Sequence, residues 1–163
     1  MTRSGYSLVE LITVVAIIAI LTAIATLRFD RMSRKYGIES QTRALYADLM
    51  DLRLKALYKK KTHSARLSAT NFVSYSSLDS SNKPCGPIID KYLACAIAPN
   101  ANVATIRFDS NGLTSDIGSI CTKSSNNDAL DSIVISMARI NMGKIKAGKE
   151  CRNEIVSDDI EIR

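Results

Sequence analysis

A single carboxylate interrupts the longest apolar stretch of this chain. Glu10 lies near the start of residues 6–27, a 22-residue segment in which it is the only charged side chain. As an α-helix rising about 1.5 Å per residue, this segment is about 33 Å long, which matches a hydrocarbon core about 30 Å thick. A charged side chain costs on the order of 2.5–3.5 kcal/mol at the centre of such a span and less near its ends. We therefore expect Glu10 to have a partner whose interaction offsets this cost.

Three interpretations of the N-terminal segment compete. A secretory signal would use Arg3 as its basic residue and the A-x-A motif at 23–25 as its cleavage site. A plain transmembrane anchor accounts for the length and leaves Glu10 unexplained. If the chain is instead cut after Gly5, the new amino group of Tyr6 and the Glu10 carboxylate lie about one helical turn apart. In a bundle, the carboxylate of one subunit can then neutralise the amine of the next, so that both charges pair on assembly.

The N-terminal residues resemble those of type IV prepilins and type II secretion pseudopilins. The resemblance rests on a basic five-residue leader, Gly5 before the cut, Glu10 at the fifth mature position and the apolar core VVAIIAIL at 14–21. It implies cleavage between Gly5 and Tyr6 by a prepilin peptidase, N-methylation of Tyr6, and polymerisation with other pilin or pseudopilin subunits on an inner-membrane assembly platform. Tyr6 replaces the phenylalanine that the family usually has, and Leu27 replaces the proline of many major pilins.

We expect residues 6–61 to form one long helix with two different halves. Residues 6–27 are apolar on all sides, as in a membrane span. Further along, apolar residues recur at helical spacing and predict a buried stripe: Ile38, Leu45, Leu49, Leu52 and Ala56. The predicted organisation is a leader peptide at 1–5, a transmembrane and assembly helix at 6–27, an amphipathic second half at 28–61 and a β-rich globular domain at 62–163.

Short strand-like segments replace the helical pattern from Arg66 onward. Asn111-Gly112 predicts a hairpin turn between strands near 103–108 and 113–120. Gly143 predicts a turn between strands at 139–142 and 144–147. Because a helix comes first and strands follow, the predicted fold class is α+β, with an antiparallel sheet packed on the second half of the helix.

All four cysteines lie in the distal domain, at Cys85, Cys95, Cys121 and Cys151. An even number of cysteines in an exported domain predicts two disulfides, for which three connectivities are open. A zinc site is disfavoured because there is no C-x-x-C pair and the single histidine, His63, is distant in sequence.

The balance of 22 basic to 16 acidic residues is mildly basic, and basic residues concentrate between Arg28 and Arg66. The densest run predicts a patch for DNA or an acidic partner, formed by Lys59, Lys60, Lys61 and Arg66. The structural alternative is a solvated helix end, where cations complement the terminal carbonyls. Nucleic acid is therefore an open alternative that the sequence does not require. His63 lies among these lysines, a poor environment for a general base.

No motif brings together a nucleophile, a base and an acid for catalysis. Residues 109–112 carry part of a calcium loop and lack its remaining ligands and terminal glutamate. We therefore expect no enzyme activity, no cofactor and no metal site.

A weaker resemblance links residues 45–57, 106–112 and 133–145 to the GspH/FimT group of minor pilins and H-type pseudopilins. It implies a minor pilin or pseudopilin that is a single-pass inner-membrane precursor and then part of a periplasmic or cell-surface filament. The alternatives are an H-type pseudopilin of a type II secretion system, a DNA-binding minor pilin for DNA uptake, and an exported binding module with a removable signal.

Overall fold

A long N-terminal helix is present, as the sequence predicts. The computed structural model describes residues 7–78, 84–123 and 129–162. Helix α1 occupies Leu8–Lys59 and contains 52 residues, which is consistent with the absence of proline before residue 84. Lys60 adopts a φ of 50°, a left-handed conformation that commonly closes helix C-termini. The helix thus ends two residues before the predicted position, and Tyr6, its predicted first residue, lies outside the described residues.

The chain divides into two compact units, residues 1–35 and residues 36–163. The first unit contains the initial part of α1. The second contains residues 36–59 of α1 together with the strands described below.

Within the described residues, the strands form two antiparallel sheets. Sheet A has the strand order β3-β2-β1-β5, where β1 is His63–Leu67, β2 is Asn71–Leu78, β3 is Pro84–Tyr92 and β5 is Thr105–Phe108. Sheet B has the order β4-β6-β7-β8-β9, where β4 is Ile97–Pro99, β6 is Gly118–Thr122, β7 is Ser132–Ile135, β8 is Ile140–Ile145 and β9 is Ile160–Ile162. Short 3-10 helices occupy Ala101–Val103 and Ser157–Asp159. The α+β prediction is confirmed, with two sheets in place of one.

One hydrophobic core joins the second part of α1 to both sheets. The predicted stripe supplies Leu45, Leu49, Leu52 and Ala56, which pack in one cluster with strand residues such as Phe72 and Ile133. Ile38 is also buried. The helical spacing of these apolar residues therefore identifies the helix face that the sheets cover.

A second, smaller core lies on the other face of sheet B. Successive residues of a strand point to opposite faces, and on β7 Ile133 and Ile135 belong to the main core whereas Val134 belongs to the smaller one. The segment between β8 and β9 covers this face through Cys151 and Ile155, and Ile160 of the edge strand β9 joins the same cluster. Sheet B is thus buried on both faces, and residues that follow β8 pack against the face that points away from α1.

Two sequence-based predictions about turns are corrected. Asn111-Gly112 lies in a turn, but β5 before it pairs with β1 of sheet A and β6 after it pairs with strands of sheet B, so no hairpin forms. The turn connects the two sheets. Gly143 lies inside the continuous strand β8, opposite Ile162. A Cβ at this glycine would lie 2.8 Å from the Glu161 carbonyl oxygen, so the close approach of β9 explains why glycine occupies this position.

Candidate assembly and processing site

Glu10 lies in the first turn of α1, surrounded by apolar side chains. An acid at this position complements the partial positive charge of a helix N-terminus. The Thr13 hydroxyl donates a hydrogen bond to the Glu10 main-chain carbonyl at 2.9 Å. Within the described residues, no hydrogen bond or ion pair engages the Glu10 carboxylate itself. Gly5 and Tyr6, the predicted cleavage and methylation residues, lie outside the described residues.

The apolar residues that follow Glu10 remain exposed. Every leucine, isoleucine and valine from Leu8 to Ile24 is 49–74% exposed. Among the described residues, α1 is the one helix that is long and apolar enough to cross a membrane, with a mean hydropathy of 2.7 over its best 18-residue window. A signal sequence near the N-terminus satisfies the same criterion.

Comparison with known proteins identifies the class of this N-terminal segment. Residues 1–26 match the family model of the prokaryotic N-terminal methylation motif. Neither a search of curated proteins nor a search of solved structures finds a match. The matched motif and the α+β layout of a long apolar helix followed by antiparallel sheets support a type IV pilin-like protein and are consistent with a membrane-anchored precursor. The motif implies prepilin peptidase processing and assembly with other pilin subunits.

One of the predicted disulfides is present. Cys121 and Cys151 are bonded, with a Cα–Cα distance of 5.7 Å and a sequence separation of 30. Cys121 is on β6 and Cys151 is in the C-terminal segment, so the bond ties that segment to the outer face of sheet B. The Ile155 carbonyl reinforces this attachment, because it accepts hydrogen bonds from the Asn100 side chain at 3.1 Å and the Ser119 hydroxyl at 3.0 Å.

The other two cysteines are free thiols, which corrects the prediction of a second disulfide. Cys85 is near the start of β3 and Cys95 is three residues beyond its end. A strand rises about 3.3 Å per residue, so β3 holds the two cysteines well beyond the 4.4–6.8 Å Cα separation of a disulfide. Cys95 is instead fixed by Gln41 of α1, whose amide donates to its carbonyl and accepts from its N–H, both at 2.7 Å.

The predicted basic patch is divided by the fold. Lys59, Lys60 and Lys61 are exposed at the C-terminal end of α1, whereas Arg66 is exposed on β1. His63 and Ala65 point into the core on the opposite face of β1 from Arg66. The three lysines therefore form a cluster, and Arg66 extends from the outer face of sheet A.

His63 does not lie in a solvated basic environment, as its sequence neighbours suggested. Its side chain is 0% exposed. Nδ1 is 2.9 Å from the Lys61 carbonyl oxygen, and Nε2 has no hydrogen-bond partner among the described residues. The β1 alternation, which places His63 on the same face as Ala65 and Leu67, is the signal that identifies its burial.

The residues at 109–112 build a turn. The Asp109 carboxylate accepts hydrogen bonds from the N–H groups of Asn111 and Leu113 at 2.9 and 2.8 Å. Gly112 has a φ of 68°, and a Cβ there would collide with Leu57. Arg53 of α1 donates to the Gly112 carbonyl at 2.8 Å. Among the described residues, no group of three or more His, Cys, Asp or Glu is arranged to hold a metal ion.

Sequence reasoning missed two acids that organise the second unit. Asp116 receives two hydrogen bonds from the Arg107 side chain, at 3.2 and 3.0 Å. This contact raises the pKa of the Arg107 guanidinium. Asp131 is buried, and burial raises the pKa of its carboxyl, against hydrogen bonds from the Ser132 hydroxyl and the Ile145 N–H that lower it. The detectable signal for Asp131 is its position directly before the apolar strand β7.

Proposed function

We propose that this protein is a minor pilin or pseudopilin, a processed and N-methylated subunit that assembles through its N-terminal helix into a type IV pilus-like filament. The observation that carries the proposal is the exposed apolar face of residues 8–24, together with the methylation motif matched over 1–26. These exposed apolar side chains have no packing partner among the described residues, so lipid and then neighbouring subunits must supply one. In this function the protein performs no catalysis and carries no cofactor.

Glu10 sets the register between neighbouring subunits in this proposal. Cleavage after Gly5 creates an amino group at Tyr6, about one helical turn from the Glu10 carboxylate. Within lipid, pairing of each charge with the opposite charge on a neighbouring subunit lowers the free energy, because their attraction offsets the desolvation of both. Assembly in any other register leaves the two charges apart and is therefore disfavoured.

Replacing Glu10 with alanine tests this proposal most directly. Removing one member of a buried ion pair costs about 3–5 kcal/mol, which corresponds to more than about a hundredfold loss of association. We expect Glu10→Ala to insert into the membrane as the wild type does and to be absent from sheared filaments or the assembled pseudopilus. Asp30→Ala is the matched control, since it removes an acid beyond the apolar segment. Wild-type incorporation of Glu10→Ala would refute the register role.

The mass of the mature N-terminus separates the filament subunit from the exported binding module. The proposal requires N-methylated Tyr6 as the first residue, and Gly5→Leu should accumulate as an uncut, longer precursor. A protein that begins at Thr26, after the A-x-A motif, would instead establish a removable signal and a free domain.

A deletion strain separates a type IV pilus from a type II secretion system. Loss of pili with normal exoprotein secretion assigns the subunit to the pilus. Loss of secretion with normal pili assigns it to an H-type pseudopilin.

A DNA-binding minor pilin remains the second candidate because Lys59, Lys60 and Lys61 are exposed and make no ion pair within the described residues. Phosphate contacts by three cations would make binding steeply salt-dependent. Full-length protein in detergent can be titrated with duplex DNA and compared with a variant in which all three lysines are glutamine. Loss of binding in that variant, with filament incorporation retained, would support DNA uptake. Unchanged binding would leave the lysines as a solvated helix end.

A further inference from the structure

Three cations share one face of α1 immediately after the apolar segment. Arg28, Arg31 and Lys35 are spaced i, i+3 and i+7, which places them within an arc of about 60° on a helix that turns about 100° per residue. Arg28 and Arg31 are exposed and Lys35 is half-exposed. No acid of the described residues lies within ion-pair distance of any of the three. We call these three residues the basic collar.

Two nearby acids do not neutralise this face. Glu39 lies one turn after Lys35, but its carboxylate is paired with Arg43 at 3.9 Å. Asp30 lies one turn before Arg34, on the adjacent side of the helix, so Arg34 is the cation beside it. The basic collar therefore presents three positive charges without a counter-ion in the described residues.

The collar's distance along the helix matches the polar layer of a bilayer. Residues 8–27 extend about 30 Å at 1.5 Å per residue, the thickness of the hydrocarbon core. The polar headgroup layer is about 5–8 Å thick on each side, so Arg28 and Arg31 are level with the headgroups when the apolar segment spans the membrane. Lys35 lies about 12 Å beyond the hydrocarbon core, and its side chain leans back towards the headgroups because helical side chains tilt towards the N-terminus. Guanidinium and ammonium groups at this depth are within reach of phosphate oxygens, to which arginine donates in a bidentate manner.

We propose that the basic collar binds the phosphate groups of anionic phospholipids on the side of the membrane where the apolar segment ends. The inference rests on the proposed membrane insertion and adds a ligand to it. Charge complementarity carries it, since each basic residue near an anionic surface contributes attraction that decays within a Debye length. The bound lipid fixes the depth of the helix, and a subunit that enters a filament must release it.

A single tryptophan can report this lipid directly, because the chain contains none. Phe29 lies beside Arg28 and is 71% exposed, so Phe29→Trp places a fluorophore at the level of the collar. The full-length variant is reconstituted in vesicles of equimolar phosphatidylglycerol and phosphatidylcholine, with one or the other lipid brominated. We expect brominated phosphatidylglycerol to quench more strongly, corresponding to at least about a twofold local enrichment. Raising the ionic strength from about 0.1 M to about 1 M should reduce the enrichment, because the Debye length falls from about 10 Å to about 3 Å.

Two triple variants then assign the enrichment to the collar. Arg28→Gln, Arg31→Gln and Lys35→Gln together should abolish it while both lipids still quench. Lys59→Gln, Lys60→Gln and Lys61→Gln remove the same charge from the other end of α1 and should leave it intact. Equal quenching by the two lipids in the parent protein, or equal loss in both triple variants, would overturn the proposal.

Two further outcomes separate this inference from the proposed function. Absence of quenching by either lipid would overturn both, since the segment would then not be inserted. Equal quenching by both lipids, with filament incorporation lost in the collar variant, would retain the filament function and assign the collar to an acidic neighbouring subunit in place of lipid.

Discussion

The two parts of helix α1 place their apolar side chains in opposite environments. In the first unit, leucine, isoleucine and valine side chains from Leu8 to Ile24 are all exposed. In the second unit, the helix buries a stripe that includes Leu45, Leu49 and Leu52 against two sheets. A contiguous apolar surface of this kind on a monomer marks a membrane or protein interaction site. The contacts that satisfy the first part of the helix must therefore come from outside the chain, whereas those of the second part lie within it.

The two units also treat a carboxylate in apolar surroundings differently. Asp131, in the second unit, is buried and accepts hydrogen bonds from the Ser132 hydroxyl at 2.8 Å and the Ile145 N–H at 3.0 Å. Glu10, in the first unit, makes no such contact within the described residues. An acid with partners in the same chain contributes to the fold, and an acid without them is available for assembly. This difference is what makes Glu10 the strongest candidate for a contact between subunits.

The largest effect that tests the comparison is expected from leucine truncation in the two parts of α1. Leu49 is 0% exposed and Leu21 is 61% exposed. Leu49→Ala should lower the free energy of unfolding of the distal domain by about 2–5 kcal/mol, because it removes apolar burial and leaves a cavity. Leu21→Ala should leave that free energy unchanged. Urea unfolding of the full chain in detergent, followed by circular dichroism of the sheets, measures both. A large loss in Leu21→Ala would show that its side chain packs within the chain.

The disulfide provides the next test within the second unit. Loop-closure entropy for the sequence separation of 30 between Cys121 and Cys151 corresponds to about 2–4 kcal/mol of stability. The Cys121→Ser/Cys151→Ser variant should lose this amount in chemical unfolding. The matched Cys85→Ser/Cys95→Ser variant should lose much less, since those thiols are not bonded. A similar loss in both variants would contradict this expectation, because β3 holds Cys85 and Cys95 too far apart to be bonded to each other.

The helix was predictable from sequence because its signals are local. A run of apolar residues, the absence of proline and the spacing of Leu45, Leu49 and Leu52 each follow from neighbours within a few turns. The same locality explains why Glu10 was identified as a candidate site, since its unusual feature is its immediate surroundings.

The sheet arrangement was less predictable because pairing depends on residues distant in sequence. Asn111-Gly112 gives a turn as its composition predicts, but whether the flanking strands pair is decided by β1 and β7. Gly143 predicts a turn by composition, and only the approach of β9, near residue 161, reveals why a side chain is excluded there. The predictions of a solvated His63 and of a second disulfide are wrong for the same reason, because the position of a residue on its strand decides its burial and its distance from other residues.

Asp131 provides a pH-dependent test of the acid comparison. Its raised pKa means that the folded state holds the proton more tightly than the unfolded state. The stability gained from this tighter proton binding is present below the ordinary carboxyl pKa of 3.8 and is lost as the pH rises through the pKa of the folded state. Asp131→Asn stays neutral and retains an acceptor oxygen, so its stability relative to the wild type should increase as the pH rises above 3.8 and through the raised pKa of the folded state.

The alanine variant at the same position separates the charge from the hydrogen bonds. Asp131→Ala leaves the Ile145 N–H without its acceptor, so its free energy of unfolding should lie about 1–3 kcal/mol below that of Asp131→Asn at all pH values, because neither variant titrates at this position. Unfolding of the three proteins at several pH values measures both effects. A wild-type minus Asp131→Asn difference that is independent of pH would contradict the assignment of a raised pKa to this carboxyl.

The smallest expected effect, that of Gly37→Ala, tests where the part of α1 that contacts neighbouring subunits ends. Gly37 lies inside α1, and a Cβ added there meets no heavy atom within 4 Å. Gly37→Ala should raise the free energy of unfolding by about 0.5–1 kcal/mol through helix propensity. Gly143→Ala should have the opposite sign, because its Cβ would meet the backbone of β9. We expect Gly37→Ala to enter filaments normally. If the variant is more stable yet is incorporated less, the surface that neighbouring subunits cover extends past residue 37. The boundary between helix residues that contact other molecules and those that pack within the chain would then lie in the second unit.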